Sequence, residues 1–158
     1  MNKIGTTAIL ILLLGLSISG IGCLEDDKEE VELPRIGGPC VYSSYPGVAK
    51  ITRIEKTDAS REQVETIGGP GYEGYEVWFA FKTDQEIKEK WARDTVEREH
   101  LFQLDNSWYP GPQYLEKYGF KVNKTYDCTL NVITKGTCSP TVFKFSKINT
   151  HDYFESEQ

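Results

Sequence analysis

The residues of this chain best suited to covalent or metal chemistry are its four cysteines and two histidines. Neither His100 nor His151 belongs to an H-x-x-x-H pair, whereas metal sites usually gather several clustered ligands. The cysteines show no C-x-x-C spacing, which argues against a zinc ribbon and a thioredoxin-type redox pair. We therefore predict no metal ion, no cofactor and no catalytic residue. Paired carboxylates on facing strands would not be visible in the sequence, so enzymatic activity stays open.

A glycine-rich segment, Gly69-Pro70-Gly71-Tyr72-Glu73-Gly74, matches the dinucleotide-binding pattern G-x-G-x-x-G. That pattern binds a pyrophosphate only where a strand leads into it and a helix follows, because the helix amides meet the phosphates. Here a strand follows the glycines. The segment is therefore interpreted as a loop between strands.

Aromatic side chains give the chain its clearest potential for binding, since 3 Trp, 9 Tyr and 7 Phe make up 19 of its 158 residues. Exposed aromatic residues flanked by polar groups are common in contacts with carbohydrates, peptides and partner proteins. The alternative is that they cover the ends of a barrel, because Tyr and Trp are only intermediate in burial. The aromatic residues predicted at outward positions or in loops are Tyr42, Tyr45, Trp78, Trp108, Tyr109 and Tyr114. All of these except Tyr114 are our candidate ligand contacts.

Hydrophobic periodicity and turn residues predict five strands and two short helices. In chain order they are a strand over Gly47–Lys56 with a bulge near Thr52-Arg53, a strand over Tyr75–Lys82, a helix from Thr83 to about Arg93–Val96, a strand over His100–Leu104, a helix over Pro112–Tyr118 followed by Gly119, and a hairpin over Tyr126–Thr134 and Thr137–Ser146. In the second strand Tyr75, Val77, Phe79 and Phe81 face the core. In the first helix Ile87 and Trp91 share one face.

The predicted hairpin also predicts how the cysteines pair. With Lys135-Gly136 as its turn, Cys128 lies opposite Phe143, and Cys138 points to the other side of the ribbon, roughly 17 Å away. A disulfide requires Cα atoms closer than about 7 Å. We therefore predict a Cys40–Cys138 disulfide and a buried Cys128 thiol.

Five strands with a helix between the third and the fourth is the order of an OB-fold, a small and partly open Greek-key barrel. We predict a mainly β, OB-like barrel with one or two short helices. A different barrel or an α+β sheet would give similar patterns. The predicted barrel domain covers residues 39–150, and residues 151–158 form a polar tail.

The N-terminal segment has the layout of an export signal: Lys3, an apolar run over residues 8–22, small residues and then Cys23. It resembles a prokaryotic lipoprotein precursor, which implies cleavage after residue 22, lipidation of Cys23 and attachment to the extracytoplasmic face of the cell membrane. The resemblance covers the first 23 residues only, and Gly20 stands where that family usually has an aliphatic residue. Two alternatives are a soluble secreted product and an uncleaved membrane anchor.

Removal of residues 1–22 leaves 136 residues (158 − 22), enough for one domain with a core. It also removes one cation, Lys3, so 17 Lys and Arg remain against 24 Asp and Glu, a net charge of −7. A negative field opposes nucleic acid, which is bound mainly through its phosphates. Residues 23–38 are polar and acidic, with Pro34, Gly37 and Gly38, and are interpreted as a tether. Asn123-Lys124-Thr125 is a glycosylation sequon.

The leading functional hypothesis is a non-catalytic binding or envelope-interaction module that presents aromatic loops to a saccharide, a peptide or a partner protein. The second hypothesis is an extracytoplasmic hydrolase with a carboxylate-based site, and the third is a purely structural lipoprotein. The only membrane contact expected is the lipid anchor, and nucleic acid is not expected as a partner.

Overall fold

The computed structural model describes residues 39–157. The predicted signal peptide, the lipidation site Cys23 and the predicted tether lie outside these residues. The described elements are β1 (Val41–Glu55), α1 (Asp58–Glu62), β2 (Glu76–Lys82), β3 (Glu99–Phe102), α2 (Pro112–Tyr118), β4 (Thr125–Lys135) and β5 (Thr141–Phe145), with 3₁₀ turns at Gln63–Glu65, Lys90–Val96 and Phe154–Glu157.

The five strands form one antiparallel sheet in the order β3-β2-β1-β4-β5, and the sheet curls into a half-barrel. This confirms the predicted fold class, a mainly β, five-stranded OB-like barrel with short helices. The barrel is open on one side because β3 and β5 are the two edges of the sheet. Among residues 39–157, no helix is long and apolar enough to cross a bilayer.

The central strand, β1, is 15 residues long and holds the sheet together. Its first part pairs with β4 and its second part pairs with β2, with the predicted bulge between Ile51 and Arg53. The strand begins at Val41, six residues before the predicted start at Gly47. At Pro46 only β4 flanks the strand, a position at which sheets tolerate proline. Gly47 is required there, since a Cβ atom would lie 2.1 Å from the Lys82 carbonyl oxygen.

Alternation along β2 sends Val77, Phe79 and Phe81 into the core, as predicted, and each is at most 2% exposed. Aromatic rings from several elements fill the concave side of the sheet. Fully burying one large apolar side chain contributes about 1.5–3 kcal/mol. The other large core residues are Tyr45, Ile51, Ile87, Phe102, Leu104, Tyr114, Phe120, Leu130, Phe145 and Ile148.

The helix predicted to begin at Thr83 is wrong. The Thr83 hydroxyl donates to the Pro46 carbonyl oxygen at 2.6 Å and accepts from the Gln85 N–H, so it shapes an irregular turn and caps no helix. Between β2 and β3 the only regular structure is the 3₁₀ turn at Lys90–Val96. A capping box is present at Thr57 and Ser60, where it opens the unpredicted helix α1.

The register predicted for the β4–β5 hairpin is wrong by two residues. Cys128 lies opposite Phe145, and a five-residue connection, residues 136–140, replaces the two-residue turn. A shift by two residues keeps every side chain on its face of the sheet, so the predicted burial of Cys128 is confirmed. The Cys40–Cys138 disulfide is also confirmed, with Cα atoms 6.2 Å apart.

The prediction that the C-terminus is a polar tail is wrong for the described residues. Tyr153 and Phe154 pack against the core, and the Glu155 side chain is buried. The Glu155 carboxylate accepts a hydrogen bond from the Tyr114 N–H at 3.0 Å and thereby caps α2. The predicted end of α2 is confirmed, because Gly119 has the left-handed φ of 64° that suits glycine at a helix C-terminus.

Candidate functional site

The structure does not bring the predicted aromatic contacts together. Tyr45 and Tyr114 are 4% and 1% exposed, so the prediction that they face outward is wrong. Tyr114 belongs to the inner face of α2, and its hydroxyl donates to the Asn149 carbonyl oxygen at 2.9 Å. Tyr42 is half-buried near the start of β1, and its hydroxyl donates to the Ser139 carbonyl oxygen at 3.0 Å.

Trp108 and Tyr109 belong to a different part of the surface. The Trp108 ring packs edge-on against Tyr153, with ring centroids 6.3 Å apart. The Tyr109 backbone is fixed by the buried Gln63 amide, which accepts from its N–H at 2.9 Å and donates to its carbonyl oxygen at 3.2 Å. These contacts are structural, and both aromatic side chains are half-buried.

Trp78 is half-buried on the outward face of β2, and its ring already contacts other side chains of the protein. The Arg53 guanidinium lies 4.2 Å from the ring centroid, and the indole N–H donates to the Glu76 carboxylate at 2.9 Å. Arg53 is held over the ring by ion pairs with Glu55 and Glu99, at 3.1 and 3.3 Å. One face of the indole is therefore covered by the protein itself.

A better-placed aromatic residue lies on the segment between β2 and β3, residues 83–98, which we call the strap. The buried strap residues Ile87, Ala92 and Thr95 attach it to the core. Ile87 is 5% exposed and Trp91 is 53% exposed, so the prediction that the two share one face is wrong. A large aromatic side chain that the core does not use is a typical binding residue.

Side chains of β1 hold the strap in place just before Trp91. The Tyr45 and Ser43 hydroxyls both donate to the Glu89 carboxylate, at 2.5 and 2.8 Å, and the Lys88 N–H donates to the Tyr45 oxygen at 3.0 Å. The hydrogen bond from Tyr45 lowers the pKa of Glu89, and burial raises the pKa of Tyr45. The strap is therefore fixed by hydrogen bonds to side chains in addition to apolar contacts.

The strap and the end of β2 line an open cleft of about 530 Å³, a volume within the range of ligand sites. Its apolar wall is formed by Phe81, Ile87 and Val96. The Arg93 guanidinium at the rim donates to the Ile87 carbonyl oxygen at 3.0 Å and pairs with Glu86 at 3.1 Å. The other charged residues at the rim are Lys82, Asp84 and Glu97. Trp91 belongs to the strap but is not among the residues that line the cleft. We call the cleft and Trp91 together the strap site.

Among residues 39–157, every carboxyl group whose pKa departs from its ordinary value has a lowered pKa. Hydrogen bonds to the charged form lower the pKa of four carboxyl groups, whereas a general acid needs a raised pKa. These four groups are Glu73, Glu89, Glu99 and Asp152. Burial raises the pKa of the Cys128 thiol to about 12, which is unfavourable for a nucleophile. The same residues contain no cluster of three or more His, Cys, Asp or Glu that could hold a metal ion.

Comparison with protein-family models, with curated proteins and with solved structures finds no match to this chain. Sequence reasoning missed Trp91 because helical spacing placed it beside Ile87. A usable signal was its setting in Lys88-Glu89-Lys90-Trp91-Ala92-Arg93-Asp94, where a lone aromatic residue is surrounded by charges.

Proposed function

We propose that this protein is a non-catalytic binding module, tethered by a lipid on Cys23 to the extracytoplasmic face of a membrane, and that its strap site binds a peptide segment of a partner protein. The observation that carries the proposal is the 53% exposure of Trp91 on a segment that β1 holds rigidly through Glu89. A pre-positioned aromatic side chain loses little conformational freedom on binding.

The chemistry of the cleft favours a peptide over the other ligand classes. An apolar wall suits a hydrophobic side chain, and the rim offers both signs of charge through Lys82, Arg93, Asp84 and Glu97. Trp and Arg are also the residue types that dominate binding energy at protein interfaces. A peptide, which carries apolar and charged groups together, matches this combination.

Selection of peptides from a random display library on the wild-type protein tests the proposal. Peptides that are enriched are then titrated against wild type, Trp91→Ala and the control Trp78→Ala. Loss of a binding hot spot costs at least about 2 kcal/mol, so we expect Trp91→Ala to weaken binding about thirtyfold. Enriched peptides that bind Trp91→Ala as tightly as wild type would refute the strap site, and a selection without enrichment would favour the purely structural role.

The anchor is tested separately through Cys23→Ser. The thiol is the acceptor for the lipid, so this variant should leave the membrane fraction or accumulate as an uncleaved precursor, because stable attachment depends on the acyl chains. Wild-type protein that is soluble and carries no lipid mass would remove this part of the proposal. Asn123 is exposed in a turn with φ of 69°, and glycosylation there stays a prediction.

A further inference from the structure

The open side of the half-barrel lies between β3 and β5, and we call it the seam. Each of these strands is separated from β1 by one antiparallel neighbour, so both run in the same direction as β1. In residues 39–157 no ladder of backbone hydrogen bonds joins them. The seam is therefore a gap in the wall of the barrel.

Aromatic rings from both sides meet at the bottom of this gap. The His100 and Phe143 rings have centroids 4.4 Å apart, and Phe102 and Phe145 are 5.3 Å apart. Phe79 lies beneath them, 5.1 Å from Phe143. Phe143 is only half-buried, so part of an aromatic ring stays accessible from outside.

Above the rings lies a cleft of about 390 Å³ with a polar rim. The hydroxyls of Ser139 and Thr141 have no hydrogen-bond partner within the described part of the chain, which leaves them available to a ligand. Gln103 donates through its Nε2 atom to the Ser107 carbonyl oxygen at 2.9 Å, so its amide oxygen stays available. The polar residues that line the cleft are Gln103, Asp105, Ser139, Thr141 and Thr150.

The charges at the seam differ from those at the strap site. No Lys or Arg is among the residues that line the seam cleft, so an anionic ligand would find no counter-charge there. The one carboxylate, Asp105, already accepts from the Thr150 hydroxyl at 3.0 Å and contacts the His151 ring. The cleft therefore offers a ligand neutral hydrogen-bonding groups and accessible apolar surface.

We infer that the seam is a second binding site, independent of the strap site, that takes a neutral and hydroxyl-rich ligand such as a sugar unit of a glycan. The ring of Phe143 offers an apolar surface to the C–H face of the sugar. Ser139, Thr141 and the Gln103 amide oxygen bind its hydroxyl groups. Asp105 disfavours acidic sugars.

Chemical-shift titration of ¹⁵N-labelled protein tests this site. The probes are a galactose oligomer and its acidic counterpart, a galacturonate oligomer. The concentration of each is raised to about 10 mM, about ten times an expected dissociation constant of about 1 mM. We expect saturable shifts at Leu101 and Thr141 with the neutral oligomer and at least tenfold weaker binding of the acidic one. Cellulose and chitin oligomers extend the neutral panel.

Two variants complete the test. Thr141→Val keeps the side-chain shape and removes the hydroxyl, so it should weaken binding about threefold to tenfold. Trp91→Ala should leave saccharide binding unchanged, which separates this site from the strap site. An unchanged affinity in Thr141→Val, equal binding of the acidic oligomer, or the absence of saturable shifts with every neutral oligomer would each overturn the inference. A wild-type-like spectrum of each free variant confirms that it is folded.

Discussion

The strap and the C-terminal segment, residues 149–157, are both irregular and both pack against the core, but their aromatic side chains differ in exposure. The C-terminal segment packs Tyr153 and Phe154 against the core and buries Glu155. The strap buries Ile87 and leaves Trp91 in solvent. The difference shows that irregular structure alone does not mark a functional segment. What distinguishes the strap is a fixed backbone with a large apolar side chain that the fold does not use.

The largest effect should come from the C-terminal segment. Glu155→Ala removes the acceptor of the buried Tyr114 N–H, and an unsatisfied buried donor together with the loss of a helix cap should cost about 2–3 kcal/mol. Urea unfolding measures this change in free energy. Glu116→Ala, an exposed position in the same helix, is the control and should stay within about 0.5 kcal/mol of wild type. Equal losses in the two variants would show that Glu155 does not cap α2.

A smaller effect is expected where β1 holds the strap. Tyr45→Phe keeps the buried ring but removes the hydroxyl that contacts Glu89 and Lys88, so it should cost about 1.5 kcal/mol in urea unfolding. It should also change the fluorescence of Trp91, because the strap loses a point of attachment. Tyr42→Phe removes an exposed hydrogen bond from the same strand and serves as the control. Identical unfolding curves for wild type and Tyr45→Phe would contradict the proposed attachment.

The response to pH and salt should separate the two segments further. Hydrogen bonds lower the pKa of Glu89 and of Asp152 below the ordinary values of 4.5 and 3.8, from Tyr45 in the first case and from Lys117 in the second. Each contribution to stability is therefore complete above the ordinary pKa and is lost as the pH falls through the lowered one. Only the Asp152 contact, at 2.6 Å from Lys117, is an ion pair and should weaken with salt.

Unfolding of Glu89→Gln and Asp152→Asn over a pH series, each at low and high salt, measures this difference. In each variant, the free energy of unfolding should depend less on pH in the acid range than it does in the wild type. A salt dependence that disappears in Glu89→Gln and persists in Asp152→Asn would reverse the assignment of the ion pair.

The smallest change in stability is expected at the residue proposed to bind. Trp91→Ala should stay within about 0.5 kcal/mol of wild type, because more than half of the side chain is already exposed. Phe154→Ala is the matched variant in the C-terminal segment and should cost more, about 1–2 kcal/mol, since its ring packs on the core and lies 4.2 Å from the Lys117 ammonium. Thermal melts compare the two. A greater loss at Trp91 would make it a structural residue.

Local patterns predicted those parts of the fold that local physics determines. The alternation of apolar and polar residues predicted which side chains of β2 face inward. The sequence from Pro112 to Gly119 predicted α2 and its left-handed C-terminal residue. The strap was not predictable in this way, because a hydrogen bond between Tyr45 and Glu89, 44 residues apart, overrides the helical spacing of Ile87 and Trp91. The exposure of Trp91 was not predictable either, because it depends on which side chains fit into the core.

The register predicted for the hairpin is wrong, but the predictions about its cysteines are correct. A two-residue turn at Lys135-Gly136 was the simplest local solution, but Cys138 lies in the longer connection that brings it to Cys40. Because the error was an even number of residues, the inward face and the pairing of the cysteines were still predicted correctly. The seam, by contrast, depends on which strands fail to pair and could not be inferred from any single segment.

The position of the Cys40–Cys138 disulfide has a mechanical consequence. Cys40 directly precedes β1, whose first residues pair with the last residues of β4. Without the disulfide, a force applied to the chain on the N-terminal side of Cys40 would separate β1 from β4 by breaking their hydrogen bonds one at a time. The covalent link instead passes part of the tension to the connection between β4 and β5, so that several strands resist in parallel. A domain held by its N-terminal side against moving surroundings would gain most from this arrangement.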